Sequence, residues 1–417
     1  MRFPRLFNRK IETKESAAAA SIVLSPGQAR WTPRNYLKLA QESYCKNVIA
    51  YHAVRTVADA VADVRWTAWR GEDEVTASPF LDLLAQPNPW QSGREYVGAY
   101  VSLHLLSGNG WQERVTVGNT PRELYVLRPD RMKVIEAANG TPGAYLHEGV
   151  NGQKVRWDID PNTGESDVRH DKAFNPINDW YGFSPVEAAA YAIDQHNESM
   201  AMLQALLQNS ARPSGALKSA GRLADDAYNR LKSEIERQYQ GSENAGRPML
   251  LEGVDWQQMS LNPQELQVVA IMESAGREIA RAFGVPPLLL GYKGDNTFAN
   301  YQEARLAFYH DTVIPIANRL AHDWSDWLGP AFGDLVIKPD FDHVEAIVEK
   351  KRQLWTMADS SDDLTINERR TLKGYGPISG GDVLMVDMGK VPLDDAGLGS
   401  LDADTMKALA YGLERKG

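Results

Sequence analysis

The break at Val285-Pro286-Pro287 constrains this chain more than any other feature. Proline has no backbone N–H, and its ring clashes with the carbonyl four residues back, so a helix does not run through such a pair. Before the break, Val268, Ile271, Met272, Ala275, Ile279 and Phe283 recur at helical spacing. Asn262 supplies an N-cap, Pro263 the first helical position and Glu265 the partner of a capping box, while Gly284 supplies the stop. A helix over 262–284 is expected. Residues 288–296 then read as a loop with an apolar root and a polar, glycine-hinged tip. A second helix should open between Thr297 and Asn300, with Asn300 and Glu303 as its capping box, and continue to Leu328. That is roughly 45 Å at about 1.5 Å per residue. Pro315 lies inside it and predicts a kink, or else the end of one helix and the start of another. Periodicity alone fits a helical hairpin in any core.

Upstream, 36–64 reads as one helix with a stripe of Val48, Tyr51, Val54, Ala58 and Val61. A strand over 64–70 places Trp66 and Ala68 on one face, and Gly71 opens the next turn. Gln86-Pro87-Asn88-Pro89 is turn chemistry. Ser92 and Glu95 then open a helix to about Leu106. Strands are expected over 111–117, 123–127 and 132–136, and hairpins over 144–170, with 160–164 turning between 155–159 and 165–169. Asp158, Asp160 and Asn162 imitate a calcium loop, but Thr163 stands where its glycine belongs and Arg169 where its final glutamate belongs. Ser184, Pro185 and Glu187 open a helix to about Ser210, with Val186, Ala190, Ile193, Met200, Leu203 and Leu207 in line and Asp194, Gln195, Asn197 and Glu198 elsewhere. Between the two capped helices lie a strand over 214–218, a helix over 223–239 and strands over 248–251 and 256–261. Farther on come a strand over 335–341, a helix over 344–357, a helix capped by Thr365 and Glu368 and stopped at Gly374, and a short terminal helix from about Asp402.

The search for chemistry finds no phosphate-binding Walker loop, no dinucleotide fingerprint and no HExxH. Gly182-Phe183-Ser184-Pro185 is not a nucleophile elbow, because Val186 occupies its closing glycine position. Cys45 is the single cysteine, which excludes an internal disulfide framework and a cysteine-rich metal site. His196 and His310 have no second histidine at metal spacing and read as surface or interface groups. Asp342, Glu345 and Glu349 share a helical face, so a metal-dependent enzyme acting on nucleic acid stays open as the alternative. No apolar run approaches the roughly 20 residues that span a bilayer. Residues 1–30 combine a basic start with a short apolar run broken from it by Glu12 and Glu15, and read as a flexible arm.

Several separated stretches carry a resemblance. "IARAFGVPPLLLGY" followed by "NTFANYQEARLAFYHDTVIP" resembles the portal proteins of tailed bacteriophages, of the Hong Kong 97 type. "LLAQPNPWQSGREYVGAYVSLHLLSGNGW", "LYVLRPDRMKVI", "NAGRPMLLEGVDWQQMSL" and "LTINERRTLKGYGPISGGDVLMV" are similar to the same family, in the same order, over roughly 47–391. The resemblance implies an α+β portal fold. Its parts would be an N-terminal wing (31–182), a first stem helix (183–210), an inserted clip (211–261), a second stem helix (262–284), a tunnel loop (285–296), a long kinked helix with wing (297–341) and a C-terminal wing, crown and tail (342–417).

It further implies a ring, twelve copies in the family, at a capsid vertex of a virion assembled in the bacterial host cytoplasm, whether phage, prophage or gene transfer agent. Double-stranded DNA would pass without sequence preference. Terminase, a head-tail connector or adaptor, and the major capsid protein would be partners, with no cofactor, no metal, no membrane and no catalysis. Leu290, Tyr292, Lys293, Asp295 and Asn296 would face DNA, with Asp295 weakening any grip by Lys293. Arg222, Arg230, Lys232, Arg237 and Trp256 would serve the clip interface. The clip is no phosphate-binding patch, since seven basic and seven acidic residues balance over 212–255. The net charge of -10 suits a passage along which DNA slides, because many cationic contacts would add a sequence-independent grip.

Overall fold

The computed structural model describes residues 31–208, 215–219, 226, 229–230, 233, 254–258, 267–292, 297–361, 363–386 and 391–392. In place of one helix over 36–64 there are two, α1 (Tyr36–Glu42) and α2 (Val48–Ala62). Asn47 makes the break: its side chain accepts from the amides of Ile49 and Ala50, capping α2. The buried face of α2 is Ala50, Ala53, Val54, Val57, Ala58 and Val61, while Val48 and Tyr51 point outward. β1 (Arg65–Arg70), β2 (Asp73–Val75), α3 (Pro79–Ala85) and α4 (Gly93–Ser107) follow. Both halves of the Ser92–Glu95 capping box form, and Gly108 ends α4 in the left-handed region, at φ 73°. α4 lies against α2.

β3 (Asn109–Val117), β4 (Thr120–Val126), β5 (Met132–Glu136), β6 (Pro142–Glu148), β7 (Lys154–Asp158) and β8 (Val168–Lys172) form two antiparallel sheets, ordered β4-β3-β8 and β5-β6-β7. The hairpin expected across 160–164 does not form. The turn is there, with Asp160 Oδ1 accepting from Asn162 N at 2.7 Å, but β7 pairs with β6 and β8 pairs with β3. Turn chemistry is local, whereas the strand partner is chosen by burial: Val168 joins Trp111 and Met132 in a small core between the sheets. His170 stacks on Trp111 there, ring centroids 3.6 Å apart.

α5 (Pro185–Gln208) opens as expected, with Ser184 Oγ accepting from Glu187 N at 3.0 Å. β9 (Gly215–Ser219) and β10 (Val254–Gln258) pair antiparallel in the insert. Next comes α6 (Val268–Ala282), which packs along α5. Its start differs from the expectation: Gln267 holds a left-handed φ of 47°, so this helix begins at Val268, and the Asn262 cap lies outside the described residues. α7 (Phe298–Phe308) is capped by Thr297, which accepts from Asn300 N, rather than by Asn300. A π turn over Tyr309–Val313 leads directly into α8 (Ile314–Leu328). The amide of Ile314 bonds to the carbonyl of Tyr309, five residues back. The wider turn accommodates Pro315, whose ring would clash with a carbonyl in a regular α-turn.

β11 (Val336–Asp340) pairs with β1, giving the order β11-β1-β2. α9 (Glu345–Ser360), α10 (Ile366–Leu372), β12 (Met385–Val386) and β13 (Val391–Pro392) complete the described chain. The capping box of Thr365 and Glu368 forms in full. One continuous core joins Val57 and Val61 of α2, Tyr96 of α4, Ile193 of α5, Ile279 of α6, and Leu320, Trp324 and Leu328 of α8. Each fully buried aliphatic or aromatic side chain of this kind contributes about 1.5–3 kcal/mol. Among the described residues, no helix is long and apolar enough to cross a membrane.

Candidate functional site

The helix pair α5–α6 divides into two zones. In the inner zone Ala189, Ala190 and Ile193 of α5 are buried, as are Ala275, Gly276 and Ile279 of α6. The outer zone leaves several apolar side chains exposed. Met200 of α5 is 48% exposed, Val269 of α6 is 64% exposed, and Met202 and Ile271 are exposed as well. Exposed apolar side chains on both helices are a surface that another chain can cover.

The connection after α6 is held from both sides. Gly284 adopts φ 67°, Val285 N donates to Ala280 O at 3.0 Å, and Gly284 N donates to Arg281 O at 3.0 Å. This is a helix stop that satisfies the last carbonyls. The carbonyl of Gly284 in turn accepts from Thr312 Oγ1 at 2.6 Å, tying the end of α6 to the π turn before α8. Pro287–Leu290 form a tight 3-10 turn, ended by Gly291 at φ 83°. Tyr292 N donates to Pro287 O at 3.1 Å. The Tyr292 ring folds back onto α6, under the Arg277 guanidinium at 5.4 Å from the ring centroid. Burial raises the phenol pKa, Arg277 opposes the rise and Glu273 adds to it.

These positions bear on the residues that the resemblance would aim at DNA. Leu290 is buried in the core, at the apolar root of the loop. Tyr292 is half-buried against α6 rather than at a tip. Lys293, Asp295 and Asn296 lie outside the described residues. So do Arg222, Lys232 and Arg237 of the insert, whereas Arg230 is helical and exposed, and Trp256 stands opposite Leu217 in the β9–β10 pair.

Polar groups that read as surface residues turn out to be structural. Asp194, His196 and Asn197 of α5 are buried. Asn47 Nδ2 donates to Asn197 Oδ1 at 2.9 Å and lies 3.2 Å from His196 Nδ1, and Asn197 Nδ2 donates to Glu42 O. Burial lowers the His196 pKa. Asp194 accepts from the amide and hydroxyl of Thr32, Arg34 donates to Glu187 O, and Trp31 meets Tyr191 edge-on, so residues 31–34 form a strap along α5. A second buried network joins α4, β8 and α8. Asp171 accepts from Tyr100 Oη at 3.1 Å and lies 3.6 Å from Arg319 Nε, and Arg169 donates to Asp323. His104 sits beside Asp171 and Arg319, but burial pushes its pKa down to about 4. It is therefore neutral near pH 7, and Arg319 is the cation that faces Asp171. Asn47 lies inside the single helix expected over 36–64, and nothing in the local pattern marks its partners, which lie about 150 residues away.

The proposed carboxylate cluster does not assemble. Asp342 precedes α9 and pairs with Lys351, Glu345 faces Arg305 at 3.8 Å, and Glu349 faces Arg352 at 3.2 Å. Each carboxylate has its own cation, and among the described residues no three His, Cys, Asp or Glu are grouped to hold a metal.

Comparison with known proteins places this geometry. A family model described as phage portal protein matches residues 49–374. The portal protein of Enterobacteria phage HK97 is 26% identical over 341 residues, covering 77% of this chain and 75% of that protein. A chain in the neck of an empty GTA (gene transfer agent) particle, computed with C6 symmetry, is 41% identical with a TM-score of 0.66, covering 84% of this chain and 96% of that one. A chain in the neck of a native GTA particle, computed with C12 symmetry, is 41% identical with a TM-score of 0.63 and the same coverage.

Proposed function

The chain belongs to the phage portal protein family, and from that membership we propose that it assembles as a ring of twelve at the neck of a virus-like particle and surrounds a passage for double-stranded DNA. The family is structural rather than catalytic. The observation that carries the reading is the set of apolar side chains left exposed on α5 and α6, Met200, Met202, Val269 and Ile271. A neighbouring copy is the natural cover, because a ring joins two different surfaces of identical chains. Twelve copies agree with the C12 symmetry of the similar GTA neck. The greater identity with the GTA neck chain, 41% against 26% for the phage HK97 protein, favours a gene transfer agent particle.

On this reading α5 and α6 are the stem helices. The insert over 211–261 is the clip, which docks terminase during filling and a head-tail connector afterwards. The segments 31–182 and 297–341 are the wing facing the capsid shell, and 342–417 extends it towards the crown. Residues 285–296 are the tunnel loop. Its polar tip, Lys293, Asp295 and Asn296, faces DNA, while Leu290 and Tyr292 serve as its anchored root. Native mass spectrometry of the purified chain should give a dodecamer. Replacement of Lys293, Asp295 and Asn296 by glycine and serine should leave that ring intact and lower DNA packaging or retention in particles. A chain that stays single under all conditions would refute the ring, and unchanged packaging and retention would refute the role of the loop.

A further inference from the structure

We infer that Gly276 is a seat for Tyr292, and that this contact positions the root of the segment entering the passage; the role, though not the contact, rests on the portal reading above. Glycine in mid-helix is unfavourable relative to alanine, so its presence in the buried centre of α6 calls for a cause. A Cβ at 276 would stand 1.6 Å from Tyr292 Oη and 2.5 Å from Cζ. No other residue type at 276 coexists with Tyr292 in its present place. Gly98 in α4 makes the contrast: a Cβ there meets nothing nearer than Ala62 Cβ at 3.8 Å.

One further contact covers the ring, and two backbone hydrogen bonds hold the turn that carries it. The Arg277 guanidinium covers its face, a cation–π arrangement on the residue next to the seat. Gly291 makes the left-handed turn that swings the ring back, with Gly291 N donating to Leu288 O at 3.2 Å. Tyr292 N closes the turn onto Pro287 O. Tyr292 is thus held by backbone on one side and by α6 on the other. Lys293 follows it directly in the chain, so its seat sets where the polar tip begins. Tyr292 is a positioning residue, not a DNA contact.

The test is hydrogen exchange on the full-length ring, read at the amides of Leu289, Gly291 and Tyr292. Gly276→Ala should displace the phenol and speed exchange at these amides about tenfold. Tyr292→Ala should do the same, and the double variant should add nothing to either, since both remove one contact. Tyr292→Phe keeps the ring under Arg277 and should exchange almost as the natural chain does. Should Gly276→Ala fail to assemble, Tyr292→Ala creates no clash and carries the same test. Unchanged exchange in Gly276→Ala, or additive effects in the double variant, would overturn the seat. Faster exchange with unchanged DNA retention would support the seat while removing the portal role assigned to the loop.

Discussion

At the scale of single residues, burial converts ordinary polar side chains into pH-dependent structure. Desolvation pushes His104 down to about 4 and His170 to about 3, from an ordinary value of 6.5. For His104, Asp171 works against the shift and Arg319 with it; for His170, Lys172, His104 and Arg169 all work with it. The folded chain therefore refuses protons that the unfolded chain accepts below pH 6.5. Stability contributed by these rings is whole above 6.5, declines as pH falls towards the folded values and levels off below them. For His104 the loss is on the order of 3 kcal/mol at most. The urea midpoint should fall between about pH 7 and about pH 5, and His104→Asn should flatten part of that fall. An identical fall in the variant would show that other groups carry the acid sensitivity. None of this was readable beforehand, since His104 lies in an unremarkable helical stretch and its partners come from β8 and α8.

At the scale of elements, caps and stops did most of the specifying. Ser92 with Glu95, Ser184 and Thr365 with Glu368 all begin helices where the pattern places them, because a capping side chain reaches only two or three residues along its own chain. The misplacements have the same origin. Asn47 can cap as well as Ser92 does, yet no break stood out in an apolar stripe that runs past it. Asn300 was a plausible cap, but Thr297 stood one turn earlier and took the role. The junction of α6 with the π turn is the element most exposed to a single change. A Cβ on Gly284 would lie 2.5 Å from Thr312 Oγ1, at a φ that disfavours side chains. Gly284→Ala should therefore cost about 1–3 kcal/mol, and Thr312→Ser, which keeps the hydroxyl, should cost far less. Thermal unfolding of the two variants checks the order, and equal losses would mean that the junction does not depend on the left-handed stop.

At the scale of the whole molecule, the chain is well packed at its centre and unfinished along one helix pair. Met200→Lys combined with Val269→Asp should leave the helical circular dichroism of the chain unchanged and shift native mass spectra from ring to single copies, because these side chains touch solvent rather than the chain's own core. Loss of helicity would place them in the fold, and an intact ring would place the subunit contact elsewhere. The order of the elements, most helix starts, the glycine stops and the family were determined by the amino-acid sequence alone, since those signals act between neighbours on the chain. The partnering of distant groups was decided only in three dimensions. β8 left β7 for β3, β11 closed on β1, Asn47 found His196 and Asn197, and Tyr292 settled on a helical glycine. The physical reason is that a buried polar group or strand edge must be satisfied by whatever atoms packing brings to it, and a periodicity of two or four residues carries no record of which atoms those will be.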